Sequence, residues 1–437
     1  MDCVRLKRLW NSTDPTDGKE EILLRVKKAG ILRTFLSYFC VSIVTAAVVL
    51  GALYLWEAQD PSIRFDGERH QAEQVLAYHG DYEQYTSSHY EQYLNEKERL
   101  LYQALKYAYD HGVQRVRLAE EYDQESVTNI NAVLKADYPQ YTTSMLSMEM
   151  ALRPGETRLH VNQKEFEGVQ KNEQMVPLAR KVIDSMSQGL DEFSRAKYLY
   201  EYLVRNVAYT SEKGEDFALM SGVFELGRAN CDGFASALQL LYQMAGIECY
   251  KVYYHGSDIG SDVGHVWNIA VVDGVPYHVD ASRGALVTQQ LKDTFSSAGA
   301  DGREAVSYSG FLMTEDQALG AGGNVINPFI RDKIDSCTMP KPAEKIYDAV
   351  QVGEKKEEFV SQAAQALQNH RGMRSVFLSF HFTETAQMLQ AQENFTGNTL
   401  DAYARRIGER AGFYGRVITL NDTSDDKVLC AIFEWGT

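Results

Sequence analysis

The stretch Gly227–Gly246 reads GRANCDGFASALQLLYQMAG, and its apolar residues recur at helical spacing from Cys231 onward, through Phe234, Leu238 and Leu241. Cys231 would therefore stand on the first turn of a buried helix. At that end the backbone N–H groups lack partners and the helix dipole is positive, which favours a thiolate. The N–H of the cysteine can also point at an oxyanion that develops on an attacked carbonyl. The stretch predicts a helix that begins with a nucleophilic cysteine.

The stretch His265–Asp280 reads HVWNIAVVDGVPYHVD and predicts two antiparallel strands joined by a two-residue turn, Asp273-Gly274. With those two residues as the loop, Trp267 faces Asp280 across the hairpin. His265 then lies two positions along, on the same face as Asp280. Diagonal neighbours of this kind are about 5–8 Å apart, within reach of an imidazole–carboxylate hydrogen bond. A slip of one residue would send the two side chains to opposite faces.

Cys231, His265 and Asp280 together supply a nucleophile, a general base and acid, and an acidic group that orients the base. Acyl transfer through a covalent thioester requires this set of groups. Trp267 has the same parity as the predicted active face, so we expect it to wall the pocket and contact the substrate.

The same motifs resemble the transglutaminase-like superfamily, in a membrane-anchored bacterial form. Members commonly have a helix-start Cys followed by Gly and an aromatic residue, a His-x-Trp strand, and an Asp at a strand end. Here these read Cys-Asp-Gly-Phe-Ala from Cys231, His-Val-Trp-Asn from His265, and Tyr-His-Val-Asp ending at Asp280. The resemblance runs from about Met175 to Leu319. It implies a papain-like α+β core in which these three residues act as nucleophile, base and orienter.

Two details of the resemblance concern the region around and after Asp280. Phe311-Leu312-Met313 is similar to a terminal strand of the family's domain. The family's usual Thr-Trp pair after the Asp is replaced by Ala281-Ser282-Arg283. This departure bears on substrate preference more than on the three site residues.

Other residues offer weaker sites. Cys249 falls inside a predicted strand, where a thiol is normally buried and inert. His255 and His278 could join His265 as metal ligands, but His278 would pair opposite Ile269, two positions nearer the turn. The run Asp258–Asp262 has too few carboxylates for a calcium loop of the EF-hand kind. We therefore predict no metal and no cofactor.

A membrane anchor is predicted near the start of the chain. Thr34–Trp56 holds 23 residues without a charge, which as a helix would span about 34 Å. Residues 1–33 carry eight Lys/Arg against five Asp/Glu. The positive-inside bias then leaves the N-terminus in the cytoplasm and everything after Trp56 outside. The run is too long for the apolar region of a cleaved signal peptide.

The exposed part predicts three further regions. Residues 57–170 read as a mixed, mostly helical lead domain, with helices at Glu91–His111 and Glu125–Ala136. Residues 321–350 read as a linker. The last region, residues 351–437, reads as a small α+β module with these elements: helices near Lys355–Gln368 and Leu400–Ala411, and strands at Ser375–Phe382, Gly415–Leu420 and Val428–Trp435.

The sequence thus predicts an α+β protein: a cytoplasmic basic segment (residues 1–33), a transmembrane helix (34–56), the lead domain, a transglutaminase-like catalytic domain (171–320), and the C-terminal module. The net charge of −16 argues against a nucleic-acid partner. The expected partners are a protein or peptide substrate, with the cell envelope as its source, and the membrane through one helix. The alternative is a non-catalytic surface binding or scaffold protein that retains the fold.

Overall fold

The computed structural model describes residues 17–58, 63–65, 88–141, 146–149, 155–212, 214–255, 264–319, 325–326, 328–396, 402–422 and 424–436. The chain divides into two compact units, Met1–Ser62 and Ile63–Thr437.

The first unit is built on one helix, α1 (Asp17–Ala58), of 42 residues. Its segment Lys27–Ala52, 26 residues with a mean hydropathy of 2.1, is long and apolar enough to cross a membrane. The uncharged run predicted from the sequence, Thr34–Trp56, lies within the same helix. Its described side chains are exposed, including Phe35, Leu36 and Val48. An apolar surface of this kind needs a non-aqueous environment to cover it.

The second unit begins with a lead module of four strands and three helices. Its elements are β1 (Ile63–Phe65), α2 (Glu96–His111), β2 (Arg115–Leu118), α3 (Gln124–Asp137), β3 (Leu146–Glu149), β4 (Thr157–Val161) and α4 (Gln163–Glu173). The strands form one sheet in the order β1-β2-β4-β3, in which β1 is parallel to β2 and the other pairs are antiparallel. The sequence pattern indicated mostly helix here and missed β3 and β4, because strands this short carry little periodicity.

Helix α2 begins five residues later than the sequence pattern suggested. The side chain of Asn95 accepts a hydrogen bond from Glu98 N, and the Glu98 carboxylate accepts one from Asn95 N, a capping box that starts the helix at Glu96. The residues before it, Glu91–Tyr93, form only a short 3-10 turn. The helix ends at Gly112, whose φ of 64° lies in the left-handed region.

The core region follows. Its elements are α5 (Val176–Asp184), α6 (Glu192–Asn206), β5 (Ala208–Tyr209), α7 (Met220–Phe224), β6 (Arg228–Ala229), α8 (Cys231–Met244), β7 (Glu248–His255), β8 (His265–Val272), β9 (Val275–Val279), α9 (Ala281–Ser297), α10 (Glu315–Leu319), β10 (Val325–Ile326) and α11 (Pro328–Arg331). The antiparallel sheet has the order β10-β7-β8-β9. Helix α8 packs against β7 and β8, so the start of α8 and the start of β8 can share one site.

The predicted hairpin register is confirmed. Val272 pairs with Val275, and Ile269 pairs with His278. Asp273 and Gly274 have φ values of 51° and 76°, the left-handed pair that a two-residue turn between twisted strands requires.

The resemblance of Phe311–Met313 to a terminal strand is wrong for this chain. Only Met313 makes a strand-like contact, an isolated bridge to His278. Leu312 has a φ of 50°, and a left-handed residue interrupts an extended backbone. The segment is therefore a turn packed on the edge of β9.

The C-terminal module combines a four-stranded sheet with helices. Its elements are α12 (Ala343–Ile346), β11 (Ala349–Gln351), α13 (Lys356–Asn369), β12 (Ser375–Phe382), α14 (Thr385–Thr396), α15 (Tyr403–Ala411), β13 (Gly415–Asn421) and β14 (Val428–Trp435). Strand order is β11-β12-β14-β13. Strands β12, β13 and β14 agree with the predicted ones, whereas β11 and α14 were not predicted.

Strand β14 packs against the C-terminal module on one face and against the core region on the other. Leu429, Ala431 and Phe433 pack in the module's own core. The alternate residues Cys430 and Ile432 belong to the apolar core of the core region. Successive side chains of a strand point to opposite faces, so one sheet serves two apolar cores.

Candidate active site

Cys231 is the first residue of α8, as the sequence predicts, and its free thiol is partly exposed. The side chain of Asn230 caps the helix by accepting from Asp232 N at 3.0 Å and Gly233 N at 3.3 Å. A Cβ on Gly233 would lie 2.6 Å from the carbonyl oxygen of Phe217, so only glycine fits two residues after the cysteine. These contacts fix the helix start and with it the position of the thiol.

A two-stranded parallel pair, β5 with β6, leads the chain into Cys231. Thr210 N donates to Ala229 O at 2.9 Å, which ties Tyr209 to the strand that ends just before Asn230. Burial, and then the negative charges of Cys231 and Asp280, raise the pKa of the Tyr209 phenol. Its hydroxyl is therefore within electrostatic range of both groups. Sequence reasoning missed Tyr209, because its relation to Cys231 depends on a strand pairing with no short-range signal.

His265 and Asp280 are hydrogen-bonded, as the parity of the hairpin predicts. The distance from His265 Nε2 to Asp280 Oδ2 is 2.8 Å. The side chain of His265 is 35% exposed and that of Asp280 is 7% exposed. The Cys231 thiol also acts on this imidazole, whose pKa it helps to raise. Since Nε2 faces Asp280, Nδ1 is the ring nitrogen available to the sulfur.

Several polar groups hold the Asp280 carboxylate and its backbone. Its Oδ1 accepts from the Ser282 hydroxyl at 2.7 Å and from Arg283 N at 2.9 Å. The backbone N–H of Asp280 donates to Gly310 O at 2.8 Å. Asp280 also caps α9, so the positive end of that helix faces the carboxylate. The triplet that departs from the family pattern thus supplies two of the contacts that orient Asp280.

The electrostatics of the pair favour its charged form. Burial alone would lower the pKa of His265, but its hydrogen bonds and the charges of Asp280 and Cys231 raise that pKa to about 10. Burial alone would raise the pKa of Asp280. Its hydrogen bond and ion pair with His265, and the donors Arg283 N and Ser282 Oγ, lower that pKa instead. The imidazolium is therefore the stable form of His265 beside the thiol.

Trp267 lies against this pair but is only 5% exposed. Its ring stacks on His265 with centroids 5.5 Å apart, and its Nε1 donates to His278 Nδ1 at 2.9 Å. The structure thus assigns Trp267 a packing contact with the base, while substrate contact stays a prediction. His278 is fully buried, and burial lowers its pKa to about 4. With Nδ1 engaged by Trp267, this nitrogen is not available as a metal ligand beside His265.

The remaining rivals stand apart from the site. Cys249 is 1% exposed, and burial raises the pKa of its thiol far above the ordinary value. The side chain of His255 and the run Asp258–Asp262 lie outside the described residues.

Comparison with known proteins gives a family match over this part of the chain. Residues 179–281, which include Cys231, His265 and Asp280, match the sequence profile of the transglutaminase-like superfamily. The kyphoscoliosis peptidase of Homo sapiens is 20% identical over 127 residues, which cover 26% of this chain and 19% of that protein. Its counterpart in Mus musculus is 21% identical over 127 residues, with the same shares.

The chain thus spans only 19% of the length of these curated relatives. A crystal structure of a TGase is similar at 16% identity and a TM-score of 0.21, over 38% of this chain and 50% of that one. Because residues 179–281 match its sequence profile, the chain contains a domain of the transglutaminase-like superfamily.

Proposed function

We propose that this protein is a membrane-anchored, extracytoplasmic cysteine enzyme that acts on amide carbonyls of protein or peptide substrates. It forms a thioester acyl-enzyme on Cys231 and passes the acyl group to water or to an amine. The observation that carries the proposal is the 2.8 Å hydrogen bond between His265 Nε2 and Asp280 Oδ2, with the Cys231 thiol at the start of α8 acting on the same imidazole.

In the first half-reaction, the electron pair of the Cys231 sulfur forms a bond to the carbonyl carbon of the substrate. The carbonyl electrons move onto its oxygen. When they return, the C–N bond breaks and the amine leaves with a proton from the His265 imidazolium. Asp280 keeps the imidazole aligned and stabilises its charge. The products of this step are the free amine and the thioester.

In the second half-reaction, neutral His265 takes a proton from water or from an incoming primary amine. The oxygen or nitrogen attacks the thioester carbon, the C–S bond breaks, and the sulfur leaves as a thiolate beside the imidazolium. With water the enzyme is a peptidase or amidase, and with an amine it is a crosslinking acyltransferase. Both acceptors use the same residues.

The oxyanion of each tetrahedral intermediate needs preorganised donors. The backbone N–H of Cys231, at the start of α8, is the first donor in this proposal. Tyr209 is the proposed second donor, because its strand pairs with the strand that ends two residues before the nucleophile.

The location of the enzyme rests on α1. Lys27–Ala52 is apolar enough to span a membrane, and residues 1–33 hold eight Lys/Arg against five Asp/Glu. The positive-inside bias then favours a cytoplasmic N-terminus and a catalytic domain on the outer side, where cell-envelope proteins and peptides are the accessible substrates.

The test compares the detergent-purified full chain with its Cys231→Ala variant. Each is incubated with a mixture of envelope peptides and a fluorescent primary amine, and the products are identified by mass spectrometry. Shortened peptides indicate transfer to water and amine-labelled peptides indicate transfer to an amine. Cys40→Ser, which removes a thiol of α1, is the control and should keep full activity. If the wild type and Cys231→Ala give the same products, the proposal fails, and if neither gives shortened or labelled peptides, the result favours a non-catalytic binding protein.

A further inference from the structure

His89, Glu248 and Asp335 come together on the face of the core sheet that packs against the lead module. One ligand atom from each of them, an imidazole nitrogen and two carboxylate oxygens, lies within 4.8 Å of the other two. The three residues belong to separate segments: His89 precedes α2, Glu248 begins β7, and Asp335 follows α11. Such separations are large enough for one ion to contact all three ligand atoms and small enough to need little adjustment.

The hydrogen bonding of His89 leaves one ring nitrogen facing acceptors. Its Nε2 lies 3.1 Å from the carbonyl oxygen of Lys333, an acceptor, so Nε2 carries a proton. In the neutral imidazole, Nδ1 then has only a lone pair. That lone pair faces Glu248 Oε1 at 3.3 Å, which is also an acceptor. The residue is 7% exposed, so a positive charge at this nitrogen, either a second ring proton or a bound cation, would stabilise the contact.

The groups around the cluster hold it in the manner of an outer shell. A metal-bound histidine typically donates its other ring N–H to a backbone carbonyl, and His89 does so to Lys333. Tyr250 stacks on the His89 ring with centroids 3.7 Å apart. Its hydroxyl donates to Asp335 Oδ2 at 2.7 Å and accepts from Asp335 N at 3.1 Å. Both the imidazole and one carboxylate are therefore fixed before any ion arrives.

We propose that His89 Nδ1, Glu248 and Asp335 form a binding site for a divalent cation of the zinc or manganese class. One imidazole and two carboxylates suit these ions better than calcium or magnesium, which prefer oxygen ligands alone. The Glu248 side chain is 51% exposed, so water can reach the site and complete the coordination.

The site is structural and separate from the Cys231 centre. Glu248 lies at the first end of β7, beside the Asp273-Gly274 turn, where it pairs with Val271. Tyr254, at the other end of β7, pairs with His265. Six residues of strand separate the two ends by roughly 20 Å. A bound ion links His89, in the segment that leads into α2, to the β10-β7-β8-β9 sheet. It thereby stabilises the attachment of the lead module to that sheet. Because its ligands are not used in catalysis, this proposal does not depend on the proposed function.

The experiment measures binding of Zn²⁺ and Mn²⁺ to the detergent-purified full chain by calorimetry and by metal analysis after dialysis. The protein carries Cys231→Ala, so that the thiol does not bind zinc. We expect one ion per chain, a higher Tm with the ion than without it, and weaker binding of Ca²⁺.

Matched variants identify the ligands. Glu248→Gln and Asp335→Asn should abolish stoichiometric binding. Tyr250→Phe keeps the stacked ring, loses the bond to Asp335, and should weaken binding about tenfold to a hundredfold. Glu225 is an exposed acidic residue that follows the last residue of α7. Glu225→Gln is the control and should bind the ion as tightly as the parent does.

Two results would overturn the proposal. In the first, no ion binds stoichiometrically, or Glu248→Gln and Asp335→Asn bind as well as the parent. In the second, the ions leave the Tm of the parent unchanged. Circular dichroism of each metal-free variant verifies that it is folded.

Discussion

The hydroxyl of Ser282 donates to Asp280 Oδ1 at 2.7 Å, which leaves Oδ2 to accept from His265 at 2.8 Å. The two oxygens of one carboxylate are thus divided between the site and its support. Ser282 lies in the segment where this chain departs from the family pattern. Its hydroxyl nevertheless orients the Asp280 carboxylate.

Ser282→Ala is therefore expected to lower kcat of acyl transfer about tenfold, equivalent to about 1.4 kcal/mol, with little change in KM. A less firmly held Asp280 aligns His265 less well, while the side chains outside the His265–Asp280 pair keep their positions. Ser282→Thr retains the hydroxyl and should restore most of the activity. Ser187→Ala, at an exposed serine, is the control. Equal kcat values for Ser282→Ala and wild type would contradict the positioning role.

The pH profile of the enzyme should depend on Asp280. Acyl transfer needs the imidazolium to protonate the leaving amine, so activity should fall as pH rises through about 10, the pKa of His265. In Asp280→Asn the carboxylate charge is lost, the pKa of His265 falls, and the alkaline limb should move to lower pH. The rate of acyl transfer measured from pH 6 to 11 tests this. An alkaline limb in the same place in both proteins would show that another group sets it.

The same pair affects stability. Because folding raises the pKa of His265 from 6.5 to about 10, the interaction stabilises the fold fully below pH 6.5. The stabilisation is lost as pH rises through about 10. The free energy of unfolding of wild type minus that of His265→Asn should shrink over this window. A difference that is constant with pH would contradict the ion pair.

Iodoacetamide at neutral pH should modify Cys231 before the buried thiols Cys249 and Cys430. Cys231 is partly exposed at a helix start beside His265, whereas the other two are 1% and 0% exposed. Burial also raises the pKa of both buried thiols, and the thiolate is the reactive form. Peptide mass spectrometry measures the rates. His265→Asn should slow modification of Cys231 alone, and uniform labelling of all three would contradict the assignment.

Gly310→Ala should disrupt the site through the backbone. A Cβ at this position would lie 2.0 Å from the carbonyl oxygen of Asp280, so the turn that accepts from Asp280 N must move. Overpacking of this kind typically costs about 1–3 kcal/mol. The Tm and the activity should both fall. Gly353→Ala is the control, because nothing lies within 4 Å of the added Cβ there. Its φ of 56° adds a backbone strain that Gly310 does not have, so a loss of activity in Gly310→Ala alone would come from the clash with Asp280.

Trp267→Phe should destabilise the protein by about 1–3 kcal/mol, because His278 Nδ1 then loses its donor in a fully buried place. Trp435→Phe is the matched control, since Trp435 Nε1 has no hydrogen-bond partner among the described residues. Chemical denaturation of both variants tests this. A larger loss at Trp435 than at Trp267 would contradict the importance of the Trp267–His278 bond.

The helix start, the hairpin register and the apolar helix depend on local pattern and are therefore readable from the amino-acid sequence. The helical spacing after Cys231 and the Asp273-Gly274 turn specify where α8 begins and how β8 pairs with β9. Strand parity then puts His265 and Asp280 on one face, because side chains alternate along a strand. The uncharged run within α1 is readable for the same reason, since composition over about 20 residues is sufficient to indicate a membrane-spanning helix.

Contacts between residues far apart in the chain follow from the tertiary fold. Tyr209 pairs with Ala229, two residues before Cys231, Gly310 O accepts from Asp280 N, and His89 contacts Glu248 across 159 positions. Each contact depends on how separate segments pack, and no local spacing encodes that packing. Local sequence thus specifies the proposed nucleophile, base and acid, while the groups that support them and the proposed cation site come from the fold.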